Sequence, residues 1–412
     1  MYGSQEDIRH NLKMFFIDGI SFMPSMALIS ISAVIPYFLE HLDASTFHIA
    51  LATSIPLICV LLTQPIFGQI ASRAAVMHKT FSKILLMQRL SLLVFILLMP
   101  VFSAYNTALI HLFLVFWCIF NIFVGSYGVF FTPLVVRLLP PDKRGVIRGI
   151  GLAIGSFLGV GMSALIPAIL GNIAFPYNYM TIFSLGLFFL LVNVFVFYSM
   201  RQSKDMEPNE PMSMMQYIKM MPSSIKENAT FRTMTLACVF LAIANAILPY
   251  YTLYAIREFF ATDNHIALLA GLAVLSGAIA YIVFGYIIDK FGARHVAVIA
   301  AILIVLAGVV ILSTNSLYFV FIAWVFANIC NTGTIVSVSL LLGEVAPTTK
   351  LPLYVGVYMT VSMALSAVVV LLLAPVLESL GFIPIFVTVL ICGLLSLLIN
   401  MLVLKKRMAT LQ

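Results

Sequence analysis

Asp18 and Arg89 are ionisable side chains set inside long stretches that are otherwise almost wholly apolar. Burying either charge alone in hydrocarbon costs several kcal/mol, so each must find water, a partner or neutralisation. Each lies roughly 6 residues, or about 9 Å at helical rise, from the basic end of its stretch. That shared depth allows a mutual ion pair. An acid so placed can take up and release a proton, with the arginine setting its affinity. A static pair, or an Arg89 that snorkels to lipid phosphates, fits the same residues.

A second group could bind a solute. Trp117 and Asn121 lie at i, i+4 on one helix face, and so do Trp324 and Asn328, with Asn331 and Thr332 extending the second face by a turn. Asn245 stands a few residues before the Pro249-Tyr250-Tyr251 run. Indole faces stack on rings and cations, and amides pair with hydroxyls and carbonyls. The same residues also suit a structural role, as hydrogen-bonding glue between helices. Pro36 and Pro249 free a carbonyl and permit bending, which suits a gate.

The rest of the chain offers little to an enzyme. No carboxylate pair, nucleophile–base set, phosphate loop or metal cluster appears at a productive spacing, so neither catalysis nor nucleotide-driven pumping is expected. The five cysteines, Cys59, Cys118, Cys238, Cys330 and Cys392, all sit in apolar runs without a CxxC. Neither a disulfide framework, a metal site nor a cofactor is indicated.

Composition says what must position these residues. Hydrophobic residues make up 62% of the chain and charged residues 9%, with a mean hydropathy of +1.12. Water-soluble domains run near 25% charged, so the bilayer must solvate most of this surface. The net charge of +7 does not indicate a nucleic-acid partner, because the basic residues alternate with apolar blocks and form no single face.

Apolar blocks long enough to span about 30 Å as helices recur throughout. They read as Leu12–Leu39, Ile49–Ile70, Phe81–Phe102, Ala108–Leu139, Gly145–Leu170 and Tyr177–Met200. After a polar segment follow Phe231–Phe259, Ile266–Ile288, Val296–Leu312, Leu317–Leu342, Leu353–Leu377 and Phe382–Leu404. The expected fold is all-α and integral to the membrane, with about twelve spans in two pseudo-symmetric bundles, residues 1–200 and 231–412. Residues 201–230 form the linker, in which 212–226 could make a short amphipathic helix.

Lys and Arg cluster between alternate spans, while Glu40, Asp43, Glu258, Asp263 and Glu378 mark the other loops. This positive-inside pattern expects both termini in the cytoplasm of a cell that carries the protein in its plasma or inner membrane.

The halves align on each other. At one shared offset Trp117 meets Trp324, Asn121 meets Asn328, Pro140 meets Pro347, Lys143 meets Lys350 and Gly149 meets Gly356. That many matches at one offset read as a duplication. An even number of spans per copy gives parallel repeats about an axis along the membrane normal. Arg137 and Glu344 occupy equivalent positions with opposite charge, and a salt bridge between the halves is expected of them.

With these features the chain resembles the major facilitator superfamily over nearly its whole length. The most specific motif is Gly285-Tyr-Ile-Ile-Asp289-Lys290-Phe-Gly292-Ala-Arg294, which is similar to the superfamily's Gly-x-x-x-Asp-Arg-x-Gly-Arg signature. The resemblance implies a charge lock at the cytoplasmic face. The first-half copy keeps Gly68 and Arg73, but Ser72 and Ala75 replace the acid and the second glycine. Gly151, Gly155 and Gly159 resemble the glycine-rich fifth helix of drug and metabolite antiporters, without their Gly-Pro pair.

The resemblance implies a monomeric secondary transporter that binds a small molecule, lies in the lipid bilayer and couples to a proton or other ion. Export of a neutral or weakly cationic amphipathic compound is the leading expectation. Proton-coupled uptake of a sugar or nucleoside, and a non-transporting membrane sensor, remain open beside it.

Overall fold

The structure, a computed structural model, describes residues 4–202, 225–226, 228–313, 316–345 and 351–411. Every regular element among them is helical. In the first half these are α1 (Gln5–Leu28), α2 (Val34–His41), α3 (Thr46–Arg73), α4 (Met77–Phe102) and α5 (Asn106–Val124). Then come α6 (Ser126–Leu138), α7 (Pro141–Ala164), α8 (Ile166–Asn172) and α9 (Tyr177–Ser199). The second half holds α10 (Ala229–Ala246), α11 (Leu248–Phe259), α12 (Asp263–Phe291) and α13 (Ala293–Ser313). It ends with α14 (Leu317–Val345), α15 (Leu351–Leu380) and α16 (Ile383–Leu411). The expected linker helix over 212–226 falls almost wholly outside the described residues.

Helices are the form this composition must take, because a backbone in hydrocarbon has to satisfy its own hydrogen bonds. Among the described residues, eleven segments are long and apolar enough to cross a membrane, three of them running through a short interruption. The remaining expected span, Leu12–Leu39, is divided between α1 and α2, and the charges of α1 make it less apolar than the others. At the interruption the Ser30 hydroxyl accepts from the Ala33 N–H at 3.2 Å. Pro36 lacks the donor that would close the next turn. The second half breaks at the matching place, between α10 and α11, just before Pro249. The first and seventh spans are thus discontinuous alike.

Two compact units result. One comprises Met1–Pro211 with Thr262–Leu275, the other Met212–Ala261 with Ser276–Gln412. The first unit has an aromatic core toward its basic end, where Phe81 stacks on Phe130 at 5.4 Å and meets Phe197 edge-on at 4.7 Å. Phe38, Phe95, Phe113 and Phe183 pack a second cluster nearer the opposite end. The start of α12 belongs to this unit, since the Tyr37 hydroxyl donates to Asp263 at 2.5 Å. In the second unit Phe386 packs against both Tyr251 and Tyr254, its centroid 5.0 Å from each.

At the basic end, α1 is tied to the end of α9. Ser4 caps α1 in a capping box with Asp7. Arg201 reaches Glu6 at 3.0 Å, and the Asn11 amide donates to the Arg201 carbonyl at 2.8 Å.

Candidate functional site

The site is built on the contact between α1 and α7. A Cβ at Gly151 would lie 2.8 Å from the Phe16 carbonyl oxygen, and one at Gly19 would lie 2.9 Å from the Gly151 carbonyl carbon. At Gly155 it would collide with the Gly19 carbonyl oxygen. Only glycine allows backbones this close. The glycine stripe of α7 therefore serves α1 within the first unit. Gly161 has open space around it and takes no part.

This contact fixes Asp18, one residue before Gly19 on α1. Its Oδ1 accepts from the Asn193 side-chain amide of α9 at 2.9 Å. The same amide nitrogen donates to the Ser21 hydroxyl at 2.9 Å, and Ser21 donates to the Ile17 carbonyl. Asn193 is 1% exposed, and its carbonyl oxygen has no hydrogen-bond partner. Two cations act on Asp18 through their charge, Arg148 of α7 more strongly than Arg89 of α4. Arg148 also lies over the Phe131 ring, 4.7 Å from its centroid. Asp18 itself is partly accessible.

Arg89 is 1% exposed and bound otherwise than a partner of Asp18 would be. Its Nε donates to the Leu190 carbonyl at 3.3 Å, one terminal nitrogen to the Tyr127 hydroxyl at 2.7 Å, and the other to the Gln88 side chain. No direct Asp18–Arg89 ion pair forms. The guanidinium ties α4 to α6 and α9, and neutral acceptors satisfy its donors.

The Trp-x-x-x-Asn faces are repeated faithfully. Asn121 donates to the Trp117 carbonyl at 2.8 Å, and Asn328 to the Trp324 carbonyl at 2.9 Å. Both indoles are buried. Trp117 donates its N–H to the Ala52 carbonyl at 2.8 Å and stacks between Phe113 and Phe120. Trp324 meets Tyr251 at 6.4 Å. Thr332 donates to the Asn328 carbonyl, and Asn331 is half-buried. Asn245 donates to Thr334 at 3.2 Å and leaves its carbonyl oxygen unpartnered. The structure thus ties Trp117 with Asn121, and Trp324 with Asn328 and Thr332, within their own helices.

In the second unit the signature motif surrounds a turn. Gly292 adopts φ +90°, a conformation open to glycine, and turns the chain from α12 into α13. That turn presents Arg294, whose Nε lies 3.7 Å from Glu344 at the end of α14. Asp289 and Lys290 are exposed, with Lys290 over the Phe291 ring at 5.3 Å, and Gly285 faces open space. In the first unit Gly68 is in ordinary contact with Val129, Arg73 is exposed and Arg137 is half-buried. Among the described residues, no group of three or more His, Cys, Asp or Glu could hold a metal ion.

Residues 233–410 match the family profile described as Major Facilitator Superfamily. That match lies in the second half of the chain. Solved structures share its fold across nearly the whole chain. A bacterial homologue of the human lysosomal transporter Spinster, in an inward-facing and unoccupied conformation, superposes with a TM-score of 0.65 at 14% identity, over 98% of this chain and 99% of its own. The human organic anion transporter MFSD10 (TETRAN) gives 0.65 at 14% identity, over 95% and 99%. A mutant of the nucleoside transporter NupG gives 0.69 at 11%, over 97% and 99%. Comparison of the sequence with curated proteins finds no match. The chain thus shares the fold of these membrane transporters, and among its described residues eleven helical segments are long and apolar enough to cross a bilayer.

Sequence reasoning passed over Asn193 and Arg148. Asn193 is one amide in an apolar span and carries no spacing signal. Arg148 was legible: it stands three residues before Gly151 and seven before Gly155, on the glycine face. Its neighbours Lys143 and Arg144 grouped it instead with the cytoplasmic charges.

Proposed function

We propose that this protein is a secondary transporter of the major facilitator type that couples the movement of a small organic solute to a proton, with Asp18 as the proton-carrying group and alternating access as the mechanism. The observation that carries the reading is Asp18 itself. It is a carboxyl in a close-packed helix pair, partly accessible, hydrogen-bonded by a buried amide and facing arginine charge. A purely structural acid would be paired directly with a cation. A transport acid must be able to lose and regain its charge.

The preferred solute is a neutral or weakly cationic amphipathic compound moved outward. Few other charges lie inside the spans, which supports this choice. The protein is read as a monomer in the plasma or inner membrane with both termini in the cytoplasm, on the strength of its positive-inside charge pattern. A second reading is proton-coupled uptake of a polar nutrient. It draws support from the missing Gly-Pro pair in α7 and from the likeness to a nucleoside transporter.

Proteoliposomes separate the two. Tetraphenylphosphonium and uridine serve as probes, each with and without an imposed pH gradient. Export by exchange moves protons opposite to tetraphenylphosphonium, whereas uptake by symport moves them with uridine. Fluxes of both probes, and of any compound that raises the melting temperature, that ignore the pH gradient would overturn proton coupling.

A further inference from the structure

Three features around Asp18 remain unused by the reading above. Asn193 is fully buried, yet its carbonyl oxygen has no partner while its nitrogen serves both Asp18 and Ser21. Arg148 lies over the Phe131 ring face, one turn before the α7 glycine that packs against the α1 backbone at Phe16. Arg89, the more conspicuous cation, is held by the Leu190 carbonyl, the Tyr127 hydroxyl and the Gln88 side chain. A buried orphan acceptor is costly, so one beside an ionisable group calls for an explanation.

We propose that Asn193 and Arg148, and not Arg89, are the positioning residues of the Asp18 proton site. Asn193 serves both protonation states through the two ends of its amide, and Arg148, one turn before the glycines of α7 that pack on α1, is the cation that favours the charged form. The inference rests on the reading of Asp18 as the proton carrier.

In the charged state Asp18 only accepts, and the Asn193 nitrogen donates to it. Binding one proton from the aqueous side turns the carboxylate into a neutral acid bearing an O–H donor. A half-turn of the Asn193 amide then presents its carbonyl oxygen to that donor, filling the acceptor now empty. Arg148 stays over the face of Phe131, where the ring's quadrupole holds its charge beside α1 and favours the ionised carboxylate. The backbones do not need to part, because the glycine contact keeps α1 and α7 in place. The groups facing Asp18 are Arg148 from α7, Arg89 from α4 and the Asn193 amide from α9.

The test needs no transported compound. Wild-type protein in liposomes is titrated by infrared spectroscopy, following the carbonyl stretch of protonated carboxylic acids. Asp18→Asn identifies the Asp18 component; if no component disappears, the proton-carrier reading itself fails. Given that component, Arg148→Ala is expected to move its midpoint upward by about one pH unit, and Arg148→Lys to restore most of the shift. Arg89→Gln should move it by less than half as much. Asn193→Leu should raise the stretching frequency of the protonated acid, whose donor has lost its acceptor, and Asn193→Gln should reverse part of that rise. Melting temperatures confirm that each variant is folded. An unmoved midpoint in Arg148→Ala, a larger shift from Arg89→Gln, or an unchanged frequency in Asn193→Leu overturns the inference.

Discussion

At the offset that aligns the two tryptophans, Arg148 and Asn193 of the first half meet Val355 and Asn400 of the second. The scaffold is shared: both first spans break before an equivalent proline, and both Trp-x-x-x-Asn turns close the same hydrogen bond. The chemistry is not shared. Val355 carries no charge, and the Asn400 amide turns back to the Ser396 carbonyl of its own helix at 3.0 Å. The second half carries its charge at the surface, in Arg294 and Glu344. A duplicated bundle can thus keep its packing while only one copy holds an ionisable interior.

The contrast can be broken first at its packing. Gly155→Leu should cost about 3 kcal/mol or more, because the new side chain meets the backbone of α1 and nothing flexible can yield. Gly161→Leu, in open space, should leave the melting temperature in detergent almost unchanged. At the repeat-equivalent position of Gly155 the second half already accommodates Ser362, so Ser362→Ala should be tolerated. Equal losses in Gly155→Leu and Gly161→Leu would remove the close α1–α7 contact from the account.

Arg89→Leu is expected to cost about 3 kcal/mol, since the Leu190 carbonyl, the Tyr127 hydroxyl and the Gln88 side chain all lose a charged donor. Its effect should appear in thermal stability, whereas Asp18→Asn should appear in proton coupling with the fold intact. A stable Arg89→Leu protein that lacks coupling would reverse the two roles.

Smaller effects follow from single bonds. Trp117→Phe should lose about 1 kcal/mol with the indole donor to Ala52. Glu344→Gln should change thermal stability by roughly 0–1 kcal/mol, less in high salt, because its carboxylate is well exposed beside Arg294. A large, salt-independent loss there would show that the surface pair holds more of the second half together than this geometry allows.

Much of the architecture was legible in the sequence because the bilayer enforces it. Long apolar runs must be helices, and the tryptophan pair exposed the duplication. Asp18 and Arg89 stood out by charge alone, and the Gly292 turn by its motif. The direction in which a face points was not legible. In a soluble helix polarity marks the outer face, but in lipid both faces are apolar, so the Trp117 and Trp324 faces gave no sign that they turn into their own units. The partners of Asp18 were hidden for a related reason. An isolated amide such as Asn193 has no period, and Arg148 lay in a basic stretch that orientation rules had already explained. The interruption between α1 and α2 was half-legible: Pro36 marked it, but Ser30 gave no signal of its cap.

The account's central claim is that the first half owns the proton. It is tested most directly by adding a thermally validated ligand to proteoliposomes that enclose a pH-sensitive dye. Wild-type protein should change the internal pH as the ligand moves, and Asp18→Asn should bind the ligand yet leave the dye still. An Asp18→Asn protein that moves protons as the wild type does would contradict the claim.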